Sequence, residues 1–184
     1  MTWELLTPED FDWRDWLLAA DRGVVLHAQL AHGDRRFPMM LFDSTRIVQV
    51  VEDEPRHYYY DANVVVVPEV TRSAAEEEIG RLGAEGRFDW LLSAGPGPAG
   101  AWSYSDGVLS RGDRRFPLRV FSPEELAVTL GWADLETTHW SGNQPRPTRF
   151  YAENLLVLPS SDPDSVAEAV SAMAADGSLA WLLE

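Results

Sequence analysis

Gly33-Asp-Arg-Arg-Phe-Pro-Met-Met-Leu-Phe42 and Gly112-Asp-Arg-Arg-Phe-Pro-Leu-Arg-Val-Phe121 agree at seven of ten positions. Further along, residues 59–92 align without a gap to residues 150–183. The matches include Tyr60 with Tyr151, Asn63 with Asn154, Pro68 with Pro159, Gly86 with Gly177, and Trp90-Leu-Leu92 with Trp181-Leu-Leu183. Between the two blocks the second copy is 12 residues longer. Self-similarity of this kind means one supersecondary unit used twice, and it limits the fold more than composition does. The sequence therefore reads as a tandem duplication, residues 1–92 and residues 93–184.

Each copy carries the same local signals. Gly33-Asp34 and Gly112-Asp113 separate apolar runs as two-residue hairpin loops, with glycine supplying the positive φ of a type II′ turn. The strands expected around them are 24–32 and 35–42, then 108–111 and 114–121. Asp106-Gly107 is a further hairpin signal, so 101–105 reads as an extra strand. Ser122-Pro-Glu-Glu125 opens a helix with an N-cap serine, an early proline and a capping-box glutamate, and its counterpart is 44–53. The continuous apolar runs 63–67 and 154–158 fit strands buried on both faces. Second helices follow over 73–85 and 164–176, stopped by Gly86 and Gly177. The fold class is α+β: a ββαβα unit repeated and packed as a pseudo-twofold pair, or with one sheet shared by both halves. An extra N-terminal helix is expected, capped by Thr7-Pro8 and burying Trp13, Trp16, Leu17 and Ala20. Pro96-Gly-Pro-Ala-Gly100 reads as the linker between halves.

The 184 residues include no cysteine and no lysine; all 15 basic residues are arginine against 30 acids, a formal charge of −15. Without cysteine there is no thiol nucleophile and no thiolate metal site. Without lysine there is no Schiff-base catalysis and no lysine-bearing phosphate loop. The net negative field opposes unaided binding to duplex nucleic acid. No apolar run approaches the ~20 residues of a membrane helix, and the acidic N-terminus lacks a signal-peptide pattern. A cytoplasmic location, with no membrane and no nucleic acid partner, is the expectation.

No catalytic motif of known mechanism is present, and neither a cofactor nor a metal is expected. His27 and His32, five apart on one strand, fall on opposite faces; His57 with Asp61 is the one weak ligand or proton-transfer pair. Arg35-Arg36 and Arg114-Arg115 recur beside the matching hairpin turns. They read either as two related anion sites or as structural arginines that brace the hairpins. Tyr58 and Tyr60 fall on one strand face and Tyr59 on the other, and the tryptophans at 13, 16, 90 and 181 are assigned to the core. Glu76-Glu-Glu78 reads as the solvated side of the second helix. The segment 131–149 carries the extra residues of the second copy and combines Trp132, Asp134, Glu136, His139 and Trp140, which suits a partner-binding loop or a hairpin that extends the sheet.

In size, charge and α+β character the chain is similar to acidic immunity proteins that neutralise bacterial toxins. The function expected is an acidic protein-binding module, an inhibitor, immunity protein or adaptor that covers a basic partner surface, and not an enzyme. One alternative is an enzyme or small-ligand binder with an aromatic, histidine- and arginine-lined cleft between the repeats. A second is the structural subunit of a homo-oligomer.

Overall fold

The computed structural model describes residues 2–53, 58–92, 101–131 and 149–183. Its turns form where their residue chemistry allows. Strand β1 (Glu4–Leu6) precedes helix α1 (Trp13–Arg22), and the hairpin β2 (Val24–His32) and β3 (Arg35–Phe42) follows. Gly33 takes φ +60° at the first central position of that hairpin, and Gly112 takes φ +62° in the second half, as a type II′ loop requires. Helix α2 (Ser44–Asp53) then leads to β4 (Tyr59–Val66), α3 (Arg72–Ala84) and the short α4 (Asp89–Leu92).

The second half begins with an antiparallel meander of β5 (Trp102–Ser105), β6 (Val108–Arg111) and β7 (Arg114–Pro117). It continues with β8 (Arg119–Phe121), α5 (Pro123–Thr129), β9 (Phe150–Val157), α6 (Pro163–Asp176) and a 3-10 turn over Ala180–Leu183. The main sheet has six strands in the order β1-β2-β3-β4-β9-β8. Within it β3 runs parallel to β4 and β8 parallel to β9, while β4 and β9 pair antiparallel with Ala62 opposite Asn154 and Val64 opposite Ala152. Strands from both halves of the chain thus share one mixed sheet, and β5-β6-β7 form a separate small one.

Burial follows from the pattern of the central strands. Val64 and Val66 pack with Ile47 and Val48 of α2 and Leu126 and Leu130 from α5 and its end. Val65 and Val67 face the other way, against Ala75, Ile79 and Leu82 of α3. Leu156 and Leu158 meet Val166, Val170 and Met173 of α6. Helices therefore cover both faces of the sheet, and that is why 64–67 reads as an unbroken apolar run. Each fully buried valine contributes about 2 kcal/mol relative to an exposed one. Tyr58 and Tyr60 pack with the α6 cluster and Tyr59 with the α2/α5 cluster.

Several expectations are corrected. The stretch 114–121 is not one strand: it breaks at Leu118, so that β7 pairs with β6 and β8 pairs with β9 in different sheets. Strand β1 has no strong local signal in three residues and forms because β2 offers it a free edge. Helix α1 is capped by Asp12 rather than Thr7-Pro8; the Asp12 side chain accepts from Arg14 N–H, and Asp15 completes a capping box. Trp13 and Leu17 are not core residues, being 66% and 62% exposed, whereas Trp16 and Trp90 are half-buried against the core. Glu78 lies fully buried, so only Glu76 and Glu77 of that run face solvent. The linker 96–100, His57 and the Trp181 side chain lie outside the described residues.

Candidate functional site

Helix α1 presents the most unusual surface. Its capping box holds the N-terminus, with Arg14 N–H to Asp12 Oδ1 at 2.7 Å and Asp12 N–H to Asp15 Oδ2 at 2.8 Å. At the other end Gly23 adopts φ +68° and donates its N–H to Ala19 C=O. The helix is seated on the body through the buried Ala19 and through Trp16, which meets Phe11 edge-on at 5.3 Å. Those contacts use one flank of the apolar stripe. Trp13 and Leu17, one turn apart, are left in solvent together with Leu18. A tryptophan and two leucines exposed on a single short helix are more than the scattered apolar surface of an ordinary monomer.

Acids surround this face. Glu9, Asp10, Asp12 and Asp21 are exposed and Asp15 is half-buried, while the cations of the segment are Arg14 and Arg22. The Arg14 guanidinium lies 5.3 Å from the Trp13 ring centre, so one of the two cations covers the indole itself. The result is an apolar ridge in a negative setting, which suits the rim-and-anchor pattern of a protein interface. No family model, curated protein or solved structure matches this chain.

The arginines singled out in the sequence have specific surroundings. Arg35 donates to the C=O groups of Leu92 and Leu91 at 2.8 and 3.0 Å, at the C-terminal end of α4, and its guanidinium lies 5.0 Å from the Phe37 ring centre. Arg36 donates to Gly33 C=O in its own hairpin turn and to the C=O of the adjacent Arg35. Arg114 stacks on Phe116 at 4.8 Å, and Arg115 is exposed. The two pairs stand on β3 and β7, which belong to different sheets. Trp132, Asp134, Glu136, His139 and Trp140 lie outside the described residues.

Two carboxylates that sequence reasoning missed sit inside arginine clamps. Glu78 is bound by Arg81 through both carboxylate oxygens and by Arg149 Nη1 at 3.2 Å, while Arg149 also reaches Glu77 at 2.7 Å. Hydrogen bonds from Arg81 to Glu78 and Glu85 push its pKa up. Glu153, nearly buried in β9, is held by Arg87 at 3.0 Å and Arg119 at 3.3 Å. One signal for it was available: an acidic residue just before the apolar run 155–158. Beside it Tyr151 donates to Asn63 Oδ1 and accepts from Trp90 Nε1–H at 3.2 Å, and burial pushes its phenol pKa well up.

A cavity of about 470 Å³ opens at the β2 bulge, with His27, Met39, Tyr60 and Asp61 in its lining. His27 has φ +60°, an uncommon conformation for a non-glycine residue. His32 lies elsewhere, 4.8 Å from the Trp3 ring centre. Among the described residues, no cluster of His, Asp and Glu could hold a metal ion, and no helix is long and apolar enough to cross a membrane.

Proposed function

We propose that this chain is an acidic protein-binding module, of the inhibitor, immunity-protein or adaptor class, that covers a basic surface on a protein partner through α1. The observation that carries the reading is the exposure of Trp13 and Leu17 on one helix turn inside an acidic rim. An intramolecular role would bury them. Trp is the residue type most often found as a binding anchor, and a chain charged −15 attracts a basic partner from a distance. The segment 131–149, with Trp132, Asp134, Glu136, His139 and Trp140, is proposed as a second contact on its composition.

The same proposal takes the chain to be a tandem duplication. Support comes from the repeated sequence and from paired geometry: Asn63 Nδ2 donates to Pro38 C=O and Asn154 Nδ2 to Pro117 C=O, both at 2.8 Å. Two copies of one scaffold leave the unmatched parts, α1 and the longer 131–149 interval, as the places where function was added.

Capture from lysate at low salt tests the reading. The wild-type chain is expected to retain one near-stoichiometric basic partner, lost steeply as salt rises. A Trp13→Ser/Leu17→Ser variant is expected to lose it while unfolding at the same denaturant concentration as wild type, because exposed positions change stability by about 0.5 kcal/mol or less. Retention by that variant removes α1 from the interface; salt-independent retention by the wild type removes the charge-led mechanism.

A small-ligand site has one observation in its favour, the strained His27 beside the 470 Å³ cavity with Tyr60 and Asp61. Strained backbone gathers at functional sites. Ligand-induced shifts in thermal unfolding, abolished by His27→Ala, would favour this reading over the first.

A further inference from the structure

Among the described residues, the outer edge of the second-half strand lacks the neighbour that its first-half counterpart has. In β3, Leu41 lies opposite Val25 and Phe42 opposite Val24, so the outer side of β3 is covered by β2. On its inner side Phe42 C=O accepts from Val67 N–H at 2.9 Å. In β8 the inner side is the same, with Phe121 C=O accepting from Leu158 N–H at 3.0 Å. The outer side is not, because among the described residues the six-stranded sheet ends at β8.

The cause is one turn. Counting back from the matched hairpins, His27-Ala28 corresponds to Asp106-Gly107. Ala28 pairs with Met39, and correspondingly Gly107 C=O accepts from Leu118 N–H at 2.8 Å. In the first half the chain passes through the bulge at His27 and runs on as Val25 and Val24. In the second half Asp106 at φ +50° and Gly107 at φ +78° form a type I′ turn, and the chain folds back into β5. Successive residues of a strand turn their backbone groups to opposite sides. Since Phe121 faces β9, Val120 points its N–H and C=O at the open edge.

The surface beside that edge has a definite chemistry. A groove of about 530 Å³ is lined by Val120, Phe121, Val128, Glu124 and Glu125. Val128 is 61% exposed, and both glutamates lie exposed in the first turn of α5. Glu125 is occupied in part by capping Ser122 N–H at 2.8 Å. Among the described residues the β8 edge is unpaired, with the Val120 side chain on the α6 face of the sheet and the α5 carboxylates on the other, and this selects an extended segment that alternates apolar and basic side chains. A second copy of this chain, charged −15, is electrostatically the wrong occupant.

We infer that β8 is a strand-addition site, at which an extended segment of a basic protein pairs with Val120, sets its apolar side chains on the face of the sheet that carries the Val120 side chain, and sets an arginine or lysine against Glu124 on the α5 face. This rests on the reading of the chain as a binding module for basic partners and gives that module a second, backbone-directed contact.

The test uses the full chain and a capped nine-residue peptide alternating valine and arginine. A second peptide of the same sequence carries N-methyl groups on alternate residues, which removes strand pairing and leaves charge unchanged. The wild-type chain is expected to bind the first peptide, with slowed amide exchange at Val120, and to bind the N-methylated peptide about tenfold or more weakly. Val120→Pro removes the outward N–H and leaves the bonds of Arg119 and Phe121 to β9, so it is expected to fold and to lose binding by a similar factor. Equal binding of the two peptides overturns strand addition whatever the fate of the proline variant. No binding of either peptide does the same. Trp13→Ser/Leu17→Ser is expected to bind the first peptide as wild type does. Loss in that variant with retention in Val120→Pro overturns the β8 site and leaves the α1 reading standing. Self-association of the free chain that Val120→Pro abolishes makes the occupant a second copy and overturns the proposed one.

Discussion

Tyr151 and Asn63, 88 positions apart in sequence, are joined by a 3.2 Å hydrogen bond from the phenol to Asn63 Oδ1. The reciprocal bond, Tyr60 to Asn154 Oδ1 at 3.0 Å, joins the same two strands. Each asparagine passes the connection on to a proline carbonyl, Pro38 in β3 or Pro117 in β7. Proline cannot donate, but its carbonyl still needs a partner when it is buried, and asparagine is the side chain that can accept from one neighbour while donating to another.

Tyr151→Phe is expected to cost about 1–3 kcal/mol, because it strands Asn63 Oδ1 at a fully buried position. Tyr60→Phe is expected to cost less: Asn154 is as fully buried as Asn63, but Tyr151→Phe also removes the acceptor of Trp90 Nε1–H. Urea unfolding of the two variants measures the difference. Equal costs would show that the Trp90 bond adds nothing to the Tyr151 site.

Alkaline pH should expose the same residue. Burial raises the Tyr151 pKa in the folded chain, so above pH ~10 the unfolded chain loses this proton first. Stability associated with neutral Tyr151 is present below that pH and is lost as pH rises toward the folded pKa. Tyr151→Phe is therefore less stable than wild type at neutral pH but loses stability less steeply above pH ~10. Parallel pH profiles for the two proteins would contradict the shift.

Glu78→Ala is expected to destabilise by about 2 kcal/mol, since it removes charge-assisted bonds from Arg81 and Arg149. Both arginine side chains are 41% exposed, so they rehydrate when the carboxylate is gone. Glu78→Met, which fills the buried space, is accordingly expected to recover most of the loss. Chemical denaturation of both variants checks this; a Met variant as unstable as the Ala variant would place the whole effect in the charge.

His27→Gly is expected to stabilise the protein by about 1 kcal/mol, because glycine adopts φ +60° without the Cβ clash. The thermal midpoint reads the change. A loss of stability instead would mean that the imidazole makes a contact worth more than the backbone strain.

Gly23→Ala should act in the opposite direction, with a cost of about 1–3 kcal/mol. A Cβ at Gly23 would collide with the Asp43 carboxylate and stand 2.8 Å from Arg46 Cβ, on a backbone held at φ +68°. Asp43 has little room to give, since Arg46 N–H is bonded to its Oδ1 at 2.7 Å and Asp43 N–H to Gly23 C=O at 2.8 Å. Unfolding at unchanged denaturant concentration would show that the two elements can part.

What could be read from the chain alone is what depends on a few consecutive residues. The loops at Gly33-Asp34 and Asp106-Gly107, the box Ser122/Glu125 and the doubly buried valines 64–67 are set by backbone preference, by side chains within four positions and by unbroken hydrophobicity. Those signals placed β2, β3, α2 and β6 at their observed bounds. Tertiary structure decided the rest, because exposure and pairing depend on neighbours remote in sequence. Trp13 and Leu17 have the spacing of a buried stripe, yet the body meets only the flank that carries Trp16 and Ala19. Glu78 looks like the third member of a solvated acidic run until Arg149, 71 positions away, is brought against it. The eight residues 114–121 repeat those of β3 in outline, but without a continuous β2-like partner they divide between two sheets at Leu118. Local chemistry determined which elements this protein has; only long-range packing determined which of their surfaces were left for something else to cover.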